Sequence, residues 1–142
     1  GIQILYDMFN RREDTWCERV YSPWPDLHKI MKEQNIPLFG LESQEPIKNF
    51  DFVGLTLQYE MCYTNILQIL DLAQIPLLSA DRGDEDPIIL GGGPCSYNPE
   101  PIADFFDCFY IYLRCFFYAL FQVVPLWEVH SAPFLPVVLQ VF

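Results

Sequence analysis

Three consecutive glycines, Gly91-Gly92-Gly93, run into Pro94 and Cys95 directly after the apolar stretch Ile88-Ile89-Leu90. Glycine costs backbone entropy wherever it sits. Three in a row therefore call for backbone angles that a Cβ forbids, or for close approach by another group. A phosphate cradle would need GxGxxG or GxxxxGK[ST], and Pro94-Cys95-Ser96 breaks both patterns. Bare glycines after a strand can instead floor a pocket for a flat, bulky ligand, or serve tight packing at a turn. Cys95 suggests a nucleophile, but a reactive thiol needs a base or a positive helix end, and neither His28 nor His130 is close in sequence.

A second cluster, Thr56, Leu57, Gln58 and Tyr59, closes the apolar run FDFVGLTLQ at residues 50–58. Gln58, Tyr59 and Glu60 can either contact a ligand or cap the helix that follows. The five cysteines (Cys17, Cys62, Cys95, Cys108, Cys115) contain no CxxC and no CxxxCxxC, and neither histidine lies beside a pair of them. Zinc ligation is thereby disfavoured, and no residue is assigned to a metal. The acidic stretch DRGDED at 81–86 lacks the twelve-residue calcium loop ending in Glu, so it reads as a solvated loop. No catalytic residue is assigned.

The elements that must position these clusters follow from periodicity. Residues 2–10 place Ile2, Leu5, Tyr6 and Phe9 at helical spacing, and residues 17–22 alternate as a short strand. Trp24 between Pro23 and Pro25 reads as a packing corner. A helix is expected from Asp26 to Asn35, with His28 exposed on it, a buried strand over 50–58, and a helix over 62–74. Strands follow at 88–90 and 109–113, separated by a helix from Pro99 to Phe106 with proline in its first turn. Alternation of this kind predicts a doubly wound (Rossmann/flavodoxin-like) α/β fold around a parallel sheet. Both clusters then fall beyond carboxyl ends of strands, where such sheets bind ligands.

Composition limits the function classes. The chain has 142 residues and a net charge of −11, half of it is hydrophobic, and the length suits one ordinary core. Basic residues are too few and too scattered to grip nucleic acid, so no nucleic-acid partner is expected. No signal peptide is visible, and an odd set of unpaired cysteines suits the cytoplasm. A chain opening on Gly1 inside an amphipathic helix reads as a fragment, and the sheet is expected to be incomplete at its N-terminus.

Read in order, "ILYDMFNRRED", "ERVYSPWPDL", "IPLFGLES", "FDFVGLTLQYEMCYTNILQILDLAQIPLLS" and "PIILGGGPCSYNPEPIADFFD" resemble the N-terminal, cobalamin-binding-like domain of a family of radical S-adenosylmethionine proteins. The resemblance covers roughly residues 2–110. It implies that Thr56 and Leu57 stand at a hydroxyl-x-Leu position and that Gly91 and Gly92 stand where glycines flank a cobalamin tail. Gln58, Tyr59, Gly93 and Pro94 complete the implied cofactor-binding set. The Asp-x-His-x-x-Gly signature that supplies an axial histidine is not in this sequence. The CxxxCxxC triad that holds a [4Fe–4S] cluster is also absent, so cluster and S-adenosylmethionine are expected only in an intact parent protein.

The resemblance thus implies a cobalamin-binding-like module at 1–112 that binds a cofactor or docks on a catalytic barrel in cis, without catalysis of its own. Alternatives are a structural domain without cofactor and a small membrane-anchored acidic protein. Residues 113–142 form an apolar, divergent tail. Residues 108–127 form a 20-residue apolar run with one charge, a length that could cross a bilayer as a helix. Arg114, Gln122 and Pro125 argue against a span, and a frameshifted or truncated gene is the expected origin.

Overall fold

The computed structural model describes residues 2–111 and 135–141. Helix α1 (Ile2–Asn10) buries Phe9 and leaves Ile4 on its outer face. Asn10 then clasps the helix to the following strand. Its Nδ2 donates to the Tyr6 and Cys17 carbonyls, and its Oδ1 accepts from the Cys17 N–H at 3.0 Å. Strand β1 (Thr15–Tyr21) leads to α2 (Pro25–Gln34), where Pro25 occupies a position whose N–H no helix would use. Asn35 closes α2 in the left-handed region at φ 53°, so its N–H and that of Ile36 reach the Lys32 and Met31 carbonyls.

Strand β2 (Phe52–Thr56) is apolar and buried through Leu55, as the continuous hydrophobic run requires of a strand covered on both faces. A 3₁₀ turn at Glu60–Cys62 leads into α3 (Tyr63–Leu72), which turns Ile66, Ile69 and Leu70 inward. Strands β3 (Ile88–Gly92), β4 (Cys108–Tyr110) and β5 (Leu135–Val141) complete a five-stranded sheet in the order β1-β5-β2-β3-β4, with every pairing parallel. The doubly wound parallel fold read from the sequence is the fold observed.

Register explains how both faces are filled. Cys17, Val137 and Phe52 lie side by side across three strands, and Glu18, Val138 and Val53 form the next row. Successive residues point to opposite faces, so the first row lies on one side and the second on the other. Val138, Val53 and Ile89 join Val20, Ile66, Ile69 and Leu70 in the main core, whereas α1 packs against β1 and β5.

Several features depart from the sequence pattern. The span from Pro99 to Phe106 forms a 3₁₀ helix (Glu100–Phe105) rather than an α-helix. Pro101 supplies no N–H there, and a 3₁₀ helix rises about 2.0 Å per residue against about 1.5 Å for an α-helix. The stretched form helps a short segment return from the end of β3 to the start of β4. Residues 135–141, where the pattern announced no strand, occupy the second place in the sheet, between β1 and β2. Pro136 is tolerated because it faces only Trp16 of β1; pairing with β2 begins at Val137.

The acidic loop at 81–86 also holds more structure than its charges suggest. Arg82 has a side chain only 4% exposed. It donates to the Pro76, Leu77 and Phe105 carbonyls and pairs with Asp107, which also accepts from the Ile89 N–H. The edge of β1 is covered by the loop after α2. There Leu41 N–H reaches the Arg19 carbonyl, Arg19 pairs with Glu42, and the buried Glu18 accepts from Ser43 N–H in the space left by Gly40.

Candidate functional site at the carboxyl edge of the sheet

All five strands point the same way, so the segments leaving β1, β2, β3 and β4 meet along one edge. Thr56 and Gly92 are register partners at the ends of β2 and β3, which brings the two clusters singled out in the sequence side by side. Beyond them the chains bond to each other. Leu57 N–H donates to the Gly92 carbonyl at 2.6 Å, and Cys95 N–H donates to the Leu57 carbonyl at 3.0 Å. Leu57 is fully buried, while Gln58, Tyr59 and Pro94 are exposed.

Two of the three glycines have reasons inside the protein. Gly93 adopts φ 114°, and a Cβ there would stand 2.8 Å from the Leu57 carbonyl oxygen. A Cβ on Gly91 would meet the Phe109 ring at 2.8 Å and the Phe106 ring at 3.0 Å. Those rings pack against each other with centroids 4.9 Å apart. Ser96, fully buried, closes the turn from beneath, with its hydroxyl in reach of the Gly93 and Tyr110 carbonyls. At Gly91 and Gly93, then, the space a Cβ would take is already met by the protein's own atoms.

The choice left open for Tyr59 narrows. No side chain caps the 3₁₀ turn at Glu60–Cys62 or the start of α3. A hydrogen bond with Cys62, and then its charge, pushes the Tyr59 phenol up. Cys95 is no activated nucleophile, because burial first and then Glu60 and Cys62 push its thiol up, away from the thiolate form. Among the described residues no group of three or more His, Cys, Asp or Glu is placed to hold a metal, so these residues do not fit an iron–sulfur cluster. His130 and Cys115 lie outside the described residues.

A different part of the same edge is open. At the end of β1 a cleft of about 810 Å³ lies between α2 and α3, walled by Tyr21, Trp24, Met31, Phe39, Asn65 and Gln68 among others. Trp24, which the flanking prolines suggested as a packing corner, is 81% exposed. Its backbone is extended (φ −65°, ψ 160°), and Gln68 Nε2 donates to the Pro23 carbonyl at 3.0 Å, fastening this turn to α3. The sequence signal for it was the Pro-Trp-Pro word itself, read with the opposite sign.

Fold and edge together define a doubly wound α/β domain whose strand-end turns are closed over β2 and β3 and open beside β1. The chain belongs to the family of radical SAM proteins, N-terminal, whose model matches residues 1–112 and so takes in every element from α1 to β4. It is similar to the uncharacterized protein MJ0966 of Methanocaldococcus jannaschii, 38% identical over 82 residues, which is 56% of this chain and 17% of that relative. The matched part thus spans less than a fifth of the relative's length. No solved structure matches the chain. Among the described residues, no helix is long and apolar enough to cross a membrane.

Proposed function

We propose that this chain is the non-catalytic N-terminal module of a radical S-adenosylmethionine protein, acting beside a catalytic domain that carries the [4Fe–4S] cluster and S-adenosylmethionine. The observation that carries this reading is the family match over residues 1–112 in a sequence without CxxxCxxC. Its chemistry is therefore binding and placement: the carboxyl edge presents side chains, and the sheet holds them rigid. Free thiols at Cys17, Cys62, Cys95 and Cys108 suit a reducing, cytoplasmic setting. Anaerobic incubation of the chain with iron and sulfide, followed by desalting, tests the non-catalytic reading. The expected outcome is no retained cluster absorbance; a stoichiometric cluster would overturn it.

A second reading keeps a cobalamin-type ligand at the ends of β2 and β3. Thr56, half-buried, in register with the buried Gly92 favours it, since the two lie at the carboxyl ends of adjacent strands, where ligands of doubly wound folds bind. When bound, cobalamin would supply a corrin-held cobalt; here Thr56 would offer a hydroxyl, and Gln58 and Tyr59 an exposed rim. Hydroxocobalamin retained through desalting by the wild-type chain, and lost from Gly92→Val, is the result this reading requires. No retention by the wild type removes it and leaves the docking role.

A further inference from the structure

The cleft at the end of β1 gathers groups that neither the glycine turns nor the sheet itself accounts for. Tyr21, Trp24 and Phe39 supply aromatic rings, and no Lys, Arg or His is among the lining residues. The one carboxylate there is Asp26, exposed in the first turn of α2. Basic residues on the neighbouring elements already have partners: Arg19 pairs with Glu42, Lys29 with Glu33 and Lys32 with Asp71. Asp26, by contrast, makes no ion pair and accepts no hydrogen bond among the described residues. Ser22 and Asn65 also line the cleft, and among the described residues their side chains bond to nothing. Gln68 gives its Nε2 to the Pro23 carbonyl, which leaves its side-chain oxygen as an acceptor.

We propose that this cleft binds a small organic cation, an ammonium or guanidinium head carried on an apolar body. Aromatic rings attract a cation through their quadrupole, tryptophan most strongly. A carboxylate without a partner beside such rings adds an attraction of the same sign. An anionic ligand would meet Asp26 with no base in the lining to offset it. Phosphate is disfavoured for a second reason: Pro25 opens α2 and has no N–H to offer it. The volume of about 810 Å³ suits a small molecule, and an apolar lining with a few polar groups is the usual make-up of such sites. The net charge of −11 on the chain also raises the local concentration of cations. Much of the site is preformed. The Gln68–Pro23 bond fastens the turn to α3, the flanking prolines restrict the backbone around Trp24, and Met31 and Leu38 are buried parts of the lining. Little ordering would remain to be done on binding. The cleft is formed by this chain alone, so binding there requires neither a cobalamin-type ligand nor a catalytic domain.

The test is a titration of the chain with benzyltrimethylammonium, followed in NMR spectra at the Trp24 indole N–H and the side-chain amides of Asn65 and Gln68. Saturable shifts are expected at all three, weakening as salt is raised. Benzyl alcohol, the same ring without the charge, should bind about fivefold or more weakly, and phenylacetate should not saturate. Trp24→Leu keeps an apolar side chain but removes the aromatic ring, and should lower the affinity for the cation about tenfold. Asp26→Asn should lower it about threefold and flatten its salt dependence. Both side chains are exposed, so neither change should move the unfolding midpoint, which separates a lost site from lost folding. Benzyl alcohol binding as tightly as the cation, or an Asp26→Asn variant that binds unchanged, would overturn the choice of a cation. Shifts confined to residues outside the cleft, or no shifts, would overturn the site itself.

Discussion

The turns after β3 and β1 lie at the same edge of one sheet and were built in opposite ways. After β3 the chain is glycine-rich and folded in on itself: Gly93 lies against the Leu57 backbone, Gly91 lies under the Phe106 and Phe109 rings, and Ser96 is buried between carbonyls. After β1 the chain is proline-rich and turned outward, with Trp24 projecting above a cleft. Glycine here serves close approach within the protein, and proline serves to hold a large side chain away from it. The residues that looked most like a ligand site are thus largely occupied with the fold, and the pair of prolines that looked structural frames the open surface.

The sharpest way to break this contrast is Gly93→Val. With φ 114° and a Cβ 2.8 Å from a backbone oxygen, it should lower unfolding free energy by roughly 2–4 kcal/mol in urea titration. A variant as stable as the wild type would mean that the turn is not closed over Leu57. Gly91→Val comes next, at about 1–3 kcal/mol, because the obstructing atoms belong to side-chain rings that can shift. Ser96→Ala should cost about 1 kcal/mol, from the loss of a buried hydroxyl donor to the Gly93 and Tyr110 carbonyls. At the open turn, Trp24→Ala should change stability by no more than about 0.5 kcal/mol. A loss above about 2 kcal/mol there would place Trp24 in the core, as the sequence pattern suggested, and remove the contrast.

Much of the local structure was legible in the sequence. The 3.6-residue spacing of Leu5, Tyr6 and Phe9 sufficed for α1, and Asn35 before Ile36-Pro37 sufficed for the end of α2. The run FVGLT announced a buried parallel strand, since each of those side chains had to be covered. The clusters at 56–59 and 91–94 were legible as strand ends, and their adjacency followed from the fold class. The burial of Arg82 was not legible, because its carbonyl partners at Pro76, Leu77 and Phe105 leave no mark in a run of charges.

By itself, then, the sequence determined most of the helices and strands up to β4, though neither β5 nor the 3₁₀ form of 100–105, and it determined that the sheet is parallel and doubly wound. These depend on neighbours within a turn or two of chain, and periodicity records them. Only the tertiary structure decided the partners across the sheet: Val137 and Val138 of β5 between β1 and β2, Phe109 over Gly91, Leu57 against Gly93, and Trp24 left uncovered. Each is a contact between residues far apart in the chain. A glycine records only that something comes close; which atoms come close is settled when the strands pair.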